Sequence, residues 1–167
     1  VRAAKLIQDR RPELKLNYLM VGGQVPGHED YYDKVVNQVE NHGLKKAFIF
    51  TGMRNDVPRM MSACNVVVHL PLHEDPFPGV VLEAMVMEKP VIGTASGGIS
   101  EQFEHGLSGV LIDKRDAVAL ADALLRLADD EDLCSMMGKE ARRYATSHFS
   151  YQKFFSGLHD AYTMYVA

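Results

Sequence analysis

Two acids, Asp75 and Glu83, stand eight positions apart in the stretch DPFPGVVLEAM. Pro76 and Pro78 between them fix their own φ and remove two N–H groups, while Gly79 lets the backbone turn or approach a ligand closely. The apolar run that follows is expected to start a helix near Gly79. The N–H groups of Gly79, Val80 and Val81 then lack partners within that helix, and such an end attracts a phosphate. Glu83 falls about one turn into the helix and Asp75 lies just before the loop, so both carboxylates can face one ligand. Carboxylates suit sugars, because they accept hydrogen bonds from paired hydroxyl groups. A plain rigid turn, with Glu83 merely favourable near the positive end of a helix, fits the same spacing.

Other residues offer weaker chemistry. The turn TASGGISE carries a glycine pair, Gly97 and Gly98, ahead of a short helix that Ser96 or Ser100 could cap. It is a second candidate anion site. The pair Gly22–Gly23 does not form a G-x-G-x-x-G fingerprint, which argues against a dinucleotide site. His73 lies beside Glu74 and Asp75 and could be an acid–base residue or a metal ligand. His69 and His73 have the spacing of helical metal ligands but fall across a strand and a loop, so no metal site is expected. The nine methionines, Met53, Met85 and Met87 among them, read as packing.

The elements that must position these residues follow from periodicity. A helix is expected up to Arg10, stopped by Pro12, then a strand over 15–21 closed by Gly22 and Gly23. Tyr32, Val35, Val36 and Val39 form one helical stripe that ends at Gly43. A strand at 47–51 closes at Gly52, a short helix spans 57–64, and a strand covers 66–70. After the Asp75 loop come a helix over 79–88 and strands at 91–94 and 110–112. Helices over 117–128, 131–147 and 151–165 close the chain. Short apolar strands alternating with helices predict one α/β domain over residues 1–167: a doubly wound parallel sheet of about five strands, helices on both faces. Ligands of such sheets bind beyond the carboxyl ends of the strands. Those ends are GGQVPGHED, TGMRND, LPLHEDPFPG and TASGGISE, where glycines, prolines and acids gather.

Composition narrows the partners. The 167 residues are 47% hydrophobic and 24% charged, ordinary for a globular chain with a real core. Eighteen basic against 22 acidic residues give a net charge of -4, which argues against nucleic acid and membrane surfaces. No apolar run approaches the roughly 20 residues of a membrane span. Two cysteines without a partner motif favour a reducing, cytoplasmic setting, with membrane association of a longer protein left open. The opening VRAAKLIQDRR reads as the inside of an amphipathic helix, so upstream sequence is expected.

The segment HEDPFPGVVLEAMVMEKPVIGTASGGISEQFEHGLSGVLID resembles the donor-binding half of retaining glycosyltransferases with two Rossmann-like domains. They are of the GT-B type and belong to the glycogen-synthase and mannosyltransferase-like group. Their signature is two acids separated by seven residues, Phe-Gly after the first, then LEAM, Lys-Pro and Gly-Gly with a later Glu. Here these are Asp75, Phe77, Glu83, Lys89–Pro90, Gly97–Gly98 and Glu101, and Phe149, Ser150 and Tyr162 also fit. The likeness runs from about Leu19 to Tyr162.

The resemblance implies transfer of a sugar from a nucleotide-diphosphate donor, such as a UDP- or GDP-sugar. The donor is a substrate, and no cofactor is implied. Asp75 matches the acid that holds the donor sugar, the catalytic assignment, and Glu83 the acid that holds the ribose. Gly79, Val80 and Val81 match the backbone that meets the diphosphate and sugar. Gly52 and Met53 match the loop that passes the base, and Phe77, Gly97 and Gly98 complete the implied donor-binding set. Two departures stand out: Asp75 is one methylene shorter than the usual Glu, and Pro78 replaces a Gly. An Arg and a Lys that grip the diphosphate, the first strand and an N-terminal acceptor domain are implied upstream; Arg2 and Lys5 do not match those cations. A nucleotide-sugar epimerase or a non-catalytic nucleotide-sugar-binding module of the same architecture is the alternative.

Overall fold

A computed structural model describes residues 1–24, 26–27 and 29–166. Val25 and His28, in the first of the four expected rim segments, lie outside the described residues. The chain runs α1 (Arg2–Arg10), β1 (Tyr18–Met20), α2 (Glu29–Asn41), β2 (Phe48–Phe50), α3 (Val57–Ser62), β3 (Val67–His69), α4 (Gly79–Val86), β4 (Val91–Thr94), α5 (Ile99–Gln102), β5 (Gly109–Ile112), α6 (Ala117–Asp129), α7 (Glu131–His148) and α8 (Tyr151–Val166). Every strand pair is parallel, as expected. The five strands form two hydrogen-bonded ladders, β1–β2 and β3–β4–β5, where one sheet was expected.

The chain divides into two compact units. One holds residues 1–64 and 115–130, the other 65–114 and 131–167.

In the first unit, α1 packs on α6. Ala3, Ile7 and Ala121 form one buried cluster, and Ala4, Val39, Leu44 and Phe48 form another. Leu14 and Leu16 pack against the first cluster, and β1 starts only at Tyr18, which shortens the expected strand. The stripe read on α2 is real: Val39 is buried, and Tyr32 meets Phe50 edge-on at 5.7 Å. Gly43 ends that helix at φ +68, a conformation that suits glycine. On the surface, Arg10 pairs with Asp122 at 2.5 Å and Arg11 with Asp129 at 3.1 Å. Exposed pairs of this kind add little stability.

In the second unit, all four residues of β4 are buried, which marks it as the centre of its ladder. Val81, Ala84 and Met85 of α4 are fully buried, and α4 packs on α7. Gly138 of α7 permits a close approach: a Cβ there would lie 2.1 Å from the Glu88 carbonyl oxygen. Helix α8 differs from the rest. Its side chains over 151–165 are all exposed, including Tyr151, Phe154, Phe155, Leu158, Tyr162 and Tyr165. No helix among the described residues is long and apolar enough to cross a membrane.

Candidate functional site

The Asp75 loop joins β3 to α4 in the second unit. The Phe77 N–H donates to Asp75 Oδ1 at 3.1 Å, an Asx turn that fixes this carboxylate against its own loop. Phe77 is 45% exposed, and its ring meets Phe149 edge-on at 5.3 Å. Pro78 is the N-cap of α4 in an extended conformation, without a side-chain cap. Helix α4 therefore begins at Gly79, as the spacing predicts.

One detail differs. The Val81 N–H donates to the Pro78 carbonyl at 3.2 Å, a short-range bond that tightens the first turn. Gly79 and Val80 are left as the N–H groups without an intrahelical acceptor. Glu83 is exposed and bends back towards this end: a Cβ on Gly79 would sit 3.9 Å from Glu83 Oε1. A carboxylate and a helix N-terminus thus share one surface, with Asp75 on the loop that leads into it.

The glycine pair serves the same loop from behind. The Gly98 N–H donates to the Asp75 carbonyl at 3.0 Å. A Cβ on Gly97 would fall 2.4 Å from that oxygen, and one on Gly98 only 1.7 Å from the Pro76 oxygen. The pair lets two backbone segments touch, a reason that spacing alone does not reveal. Neither expected serine cap forms. Gly98 is the N-cap of α5, and Ser100 Oγ donates back to the Gly97 carbonyl at 3.3 Å. Ser96 is buried, and its hydroxyl has no hydrogen-bond partner among the described residues.

Gln102 was not among the sequence candidates. It is completely buried, and its Nε2 donates to the Pro78 carbonyl at 3.1 Å. As the last residue of a four-residue helix, it carries no periodicity that could have marked it. His69, at the end of β3, has Nε2 enclosed without a hydrogen-bond partner. Burial pushes its pKa down, and the charge of Asp75 partly opposes that shift.

Gly52 and Met53 belong to the first unit. Gly52 takes φ +66 just beyond β2, and its carbonyl accepts from the Gly22 N–H at 3.2 Å. A Cβ on Gly23 would come within 3.1 Å of Met53 Cγ, while the Met53 side chain stays 80% exposed. Arg54 is held by Asp56 through two hydrogen bonds of 2.8 and 2.7 Å. That bonding raises the Arg54 pKa and lowers that of Asp56. Beside Gly22, an open apolar hollow of about 270 Å³ is lined by Met20, Tyr31, Tyr32 and Phe50.

The family described as glycosyl transferases group 1 matches residues 1–144. The D-inositol 3-phosphate glycosyltransferase of Corynebacterium jeikeium is 30% identical over 164 residues, covering 97% of this chain and 39% of that protein. The N-acetyl-alpha-D-glucosaminyl L-malate synthase of Bacillus anthracis is 31% identical over 128 residues, covering 77% of this chain and 33% of its own length. Among solved structures, Anabaena Alr3699/HepE in complex with UDP superposes with a TM-score of 0.88 at 27% identity. That match covers 97% of this chain and 44% of that one. The C-terminal domain of a group 1 glycosyl transferase family protein (LpcC) from Francisella tularensis gives 0.80 at 25% identity, over 90% of this chain and 77% of that domain. This chain spans about two-fifths of the length of its full-length relatives. Its α/β fold is that of a Rossmann-like half of a GT-B glycosyltransferase, and the chain belongs to the group 1 glycosyl transferases.

Proposed function

We propose that residues 1–167 form the donor-binding domain of a retaining glycosyltransferase. It takes a sugar from a nucleotide-diphosphate donor and passes it to an acceptor held by an N-terminal domain of the same protein. The observation that carries this reading is the surface where the free N–H groups of Gly79 and Val80 meet the carboxylate of Glu83, with Asp75 on the adjoining loop. A helix N-terminus favours a diphosphate, and carboxylates accept from hydroxyls, so this surface matches both halves of a nucleotide sugar. In this reading Glu83 holds the ribose, Asp75 the donor sugar, and Gly52 and Met53 the base. Phe77, Gly97 and Gly98 shape the donor loop. The donor is a nucleotide sugar such as a UDP- or GDP-sugar, and the complexes of Anabaena Alr3699/HepE with UDP and with UDP-glucose support UDP as the first to test. No cofactor enters the scheme, since the nucleotide sugar is itself the substrate. A cytoplasmic setting fits the two free cysteines, Cys64 and Cys134.

Calorimetric titration of the protein with UDP, GDP, their sugars, and uridine and guanosine tests the reading. Binding of one nucleotide diphosphate in preference to its nucleoside is expected. Equal, negligible heats for all of them would overturn it.

A further inference from the structure

We propose that Gln102 is a positioning residue that aims the Gly79 N–H at the donor's phosphate oxygens, acting through the Pro78–Gly79 peptide. The inference rests on the donor-binding reading above. The Pro78 carbonyl accepts twice, from Gln102 Nε2 at 3.1 Å and from the Val81 N–H at 3.2 Å. The described peptide bonds include no cis bond. In a planar trans peptide the C=O and N–H point in opposite directions, so pinning the Pro78 oxygen also pins the Gly79 hydrogen. A donor on the carbonyl polarises the peptide as well, which strengthens its N–H towards an anion.

Packing alone does not call for an amide here. Gln102 is completely buried, and its Oε1 has no hydrogen-bond partner among the described residues. An aliphatic side chain would fill the same volume without enclosing that oxygen. Nor does the Pro78 oxygen need the bond for its own satisfaction, because the helix already supplies one. The segment that carries Gln102 is itself anchored. Ile99 and Phe103 are buried on either side, and the Gly98 N–H is bonded to the Asp75 carbonyl. Gln102 therefore joins the rear wall of the donor loop to the one peptide whose N–H opens the helix.

The test is an amide NMR titration of the protein with UDP and, separately, with uridine. In the wild type the Gly79 resonance should move with UDP. Gln102→Met keeps the volume and removes the donor. It should weaken UDP binding at least fivefold and leave uridine binding unchanged. Equal UDP affinity in the two proteins, or equal losses for UDP and uridine, would show that Gln102 only fills space. Gln102→Glu gives a second reading. Its buried carboxyl can donate to the Pro78 oxygen only when protonated, so its UDP affinity relative to wild type should recover as pH falls. A flat ratio would count against the proposal. Should neither variant fold, the Gln102 side-chain amide resonances of the wild type must shift with UDP and stay still with uridine; no shift with UDP, or a shift with uridine as large, overturns the idea. A wild-type Gly79 amide that ignores UDP would overturn the donor-binding reading, and this inference with it.

Discussion

The backbone N–H of Gly98 donates to the carbonyl oxygen of Asp75 at 3.0 Å. The acid assigned to the sugar is thus held by the glycine pair at its main chain, and by the Phe77 N–H at its side chain. Nothing wider than a hydrogen atom fits at the contact. Gly98→Ala would place a carbon 1.7 Å from the Pro76 oxygen, so the loop or α5 must move. Overpacking of this kind costs about 2 kcal/mol or more, a fall of roughly 4–8 °C in Tm for a chain of this size. Gly157→Ala is the matching control: among the described residues nothing stands within 4 Å of a Cβ there, and a helical alanine should be neutral or slightly stabilising. Parallel thermal melts of the two variants check the contrast.

Glu83→Gln keeps the shape of the side chain and removes its charge. Charge-assisted hydrogen bonds are worth about 1.5–3 kcal/mol. At least a tenfold loss of nucleotide affinity is expected, measured by calorimetry in the protein that carries its acceptor domain. Unchanged affinity would leave Glu83 as no more than a helix-end charge.

Asp75→Asn should separate the ligands. Free nucleotide is expected to bind as before, while the nucleotide sugar binds more weakly, because only the sugar hydroxyls need the carboxylate. Titrating both into the same variant decides the matter. Losses of equal size would mean that Asp75 does not face the sugar.

His69 links this region to pH. Burial lowers its folded pKa below the ordinary value of about 6.5, so the folded state resists protonation. Its contribution to stability is complete above the unfolded value and is lost as pH falls through the lowered folded one. Thermal melts at pH 7.5 and 5.5 should show a drop that His69→Phe reduces. Asp75→Asn removes the charge that partly opposes the shift, so the His69 titration, followed by NMR, should move lower still.

Sugar transfer by residues 1–167 alone should be absent. Charge on a departing diphosphate calls for preorganised cations, and a helix N-terminus offers only about half a unit charge. Nucleotide binding near millimolar, about -4 kcal/mol, is expected without turnover. Radiolabelled nucleotide sugars, offered to this chain and to a version joined to its acceptor domain, compare the two. Similar rates would refute the division of labour.

Much of this was legible in the sequence, for local reasons. Tyr32, Val35, Val36 and Val39 announce their helix because 3.6-residue spacing needs only one element to be visible. Gly79 announces the start of α4 because proline and glycine act on their own backbone. What stayed hidden depends on contacts between distant segments. Gly97 and Gly98 read as an anion loop until the Asp75 and Pro76 oxygens appear beside them. Gln102 sits in α5, a helix too short for a hydrophobic stripe, and its partner lies 24 residues earlier. Ser96 and Ser100 have the composition of caps, but Gly98 takes that position. The division of five parallel strands into two ladders depends on which strand edges meet, and strand sequences do not encode that by themselves.

Helix α8 begins with its own cap, as the Lys153 N–H donates to Ser150 Oγ at 3.3 Å, yet over 151–165 it keeps every side chain in water. A single helix of 16 residues is only marginally stable in isolation. Its hydrogen bonds therefore open without disturbing the buried ladder. In deuterated solvent its amides should exchange nearly as fast as those of a free peptide, while those of the enclosed strand β4 wait for the whole unit to open. The ellipticity near 222 nm should accordingly decline on gentle warming before any cooperative transition, and removing residues 151–167 should erase that early slope while leaving the main melting step in place.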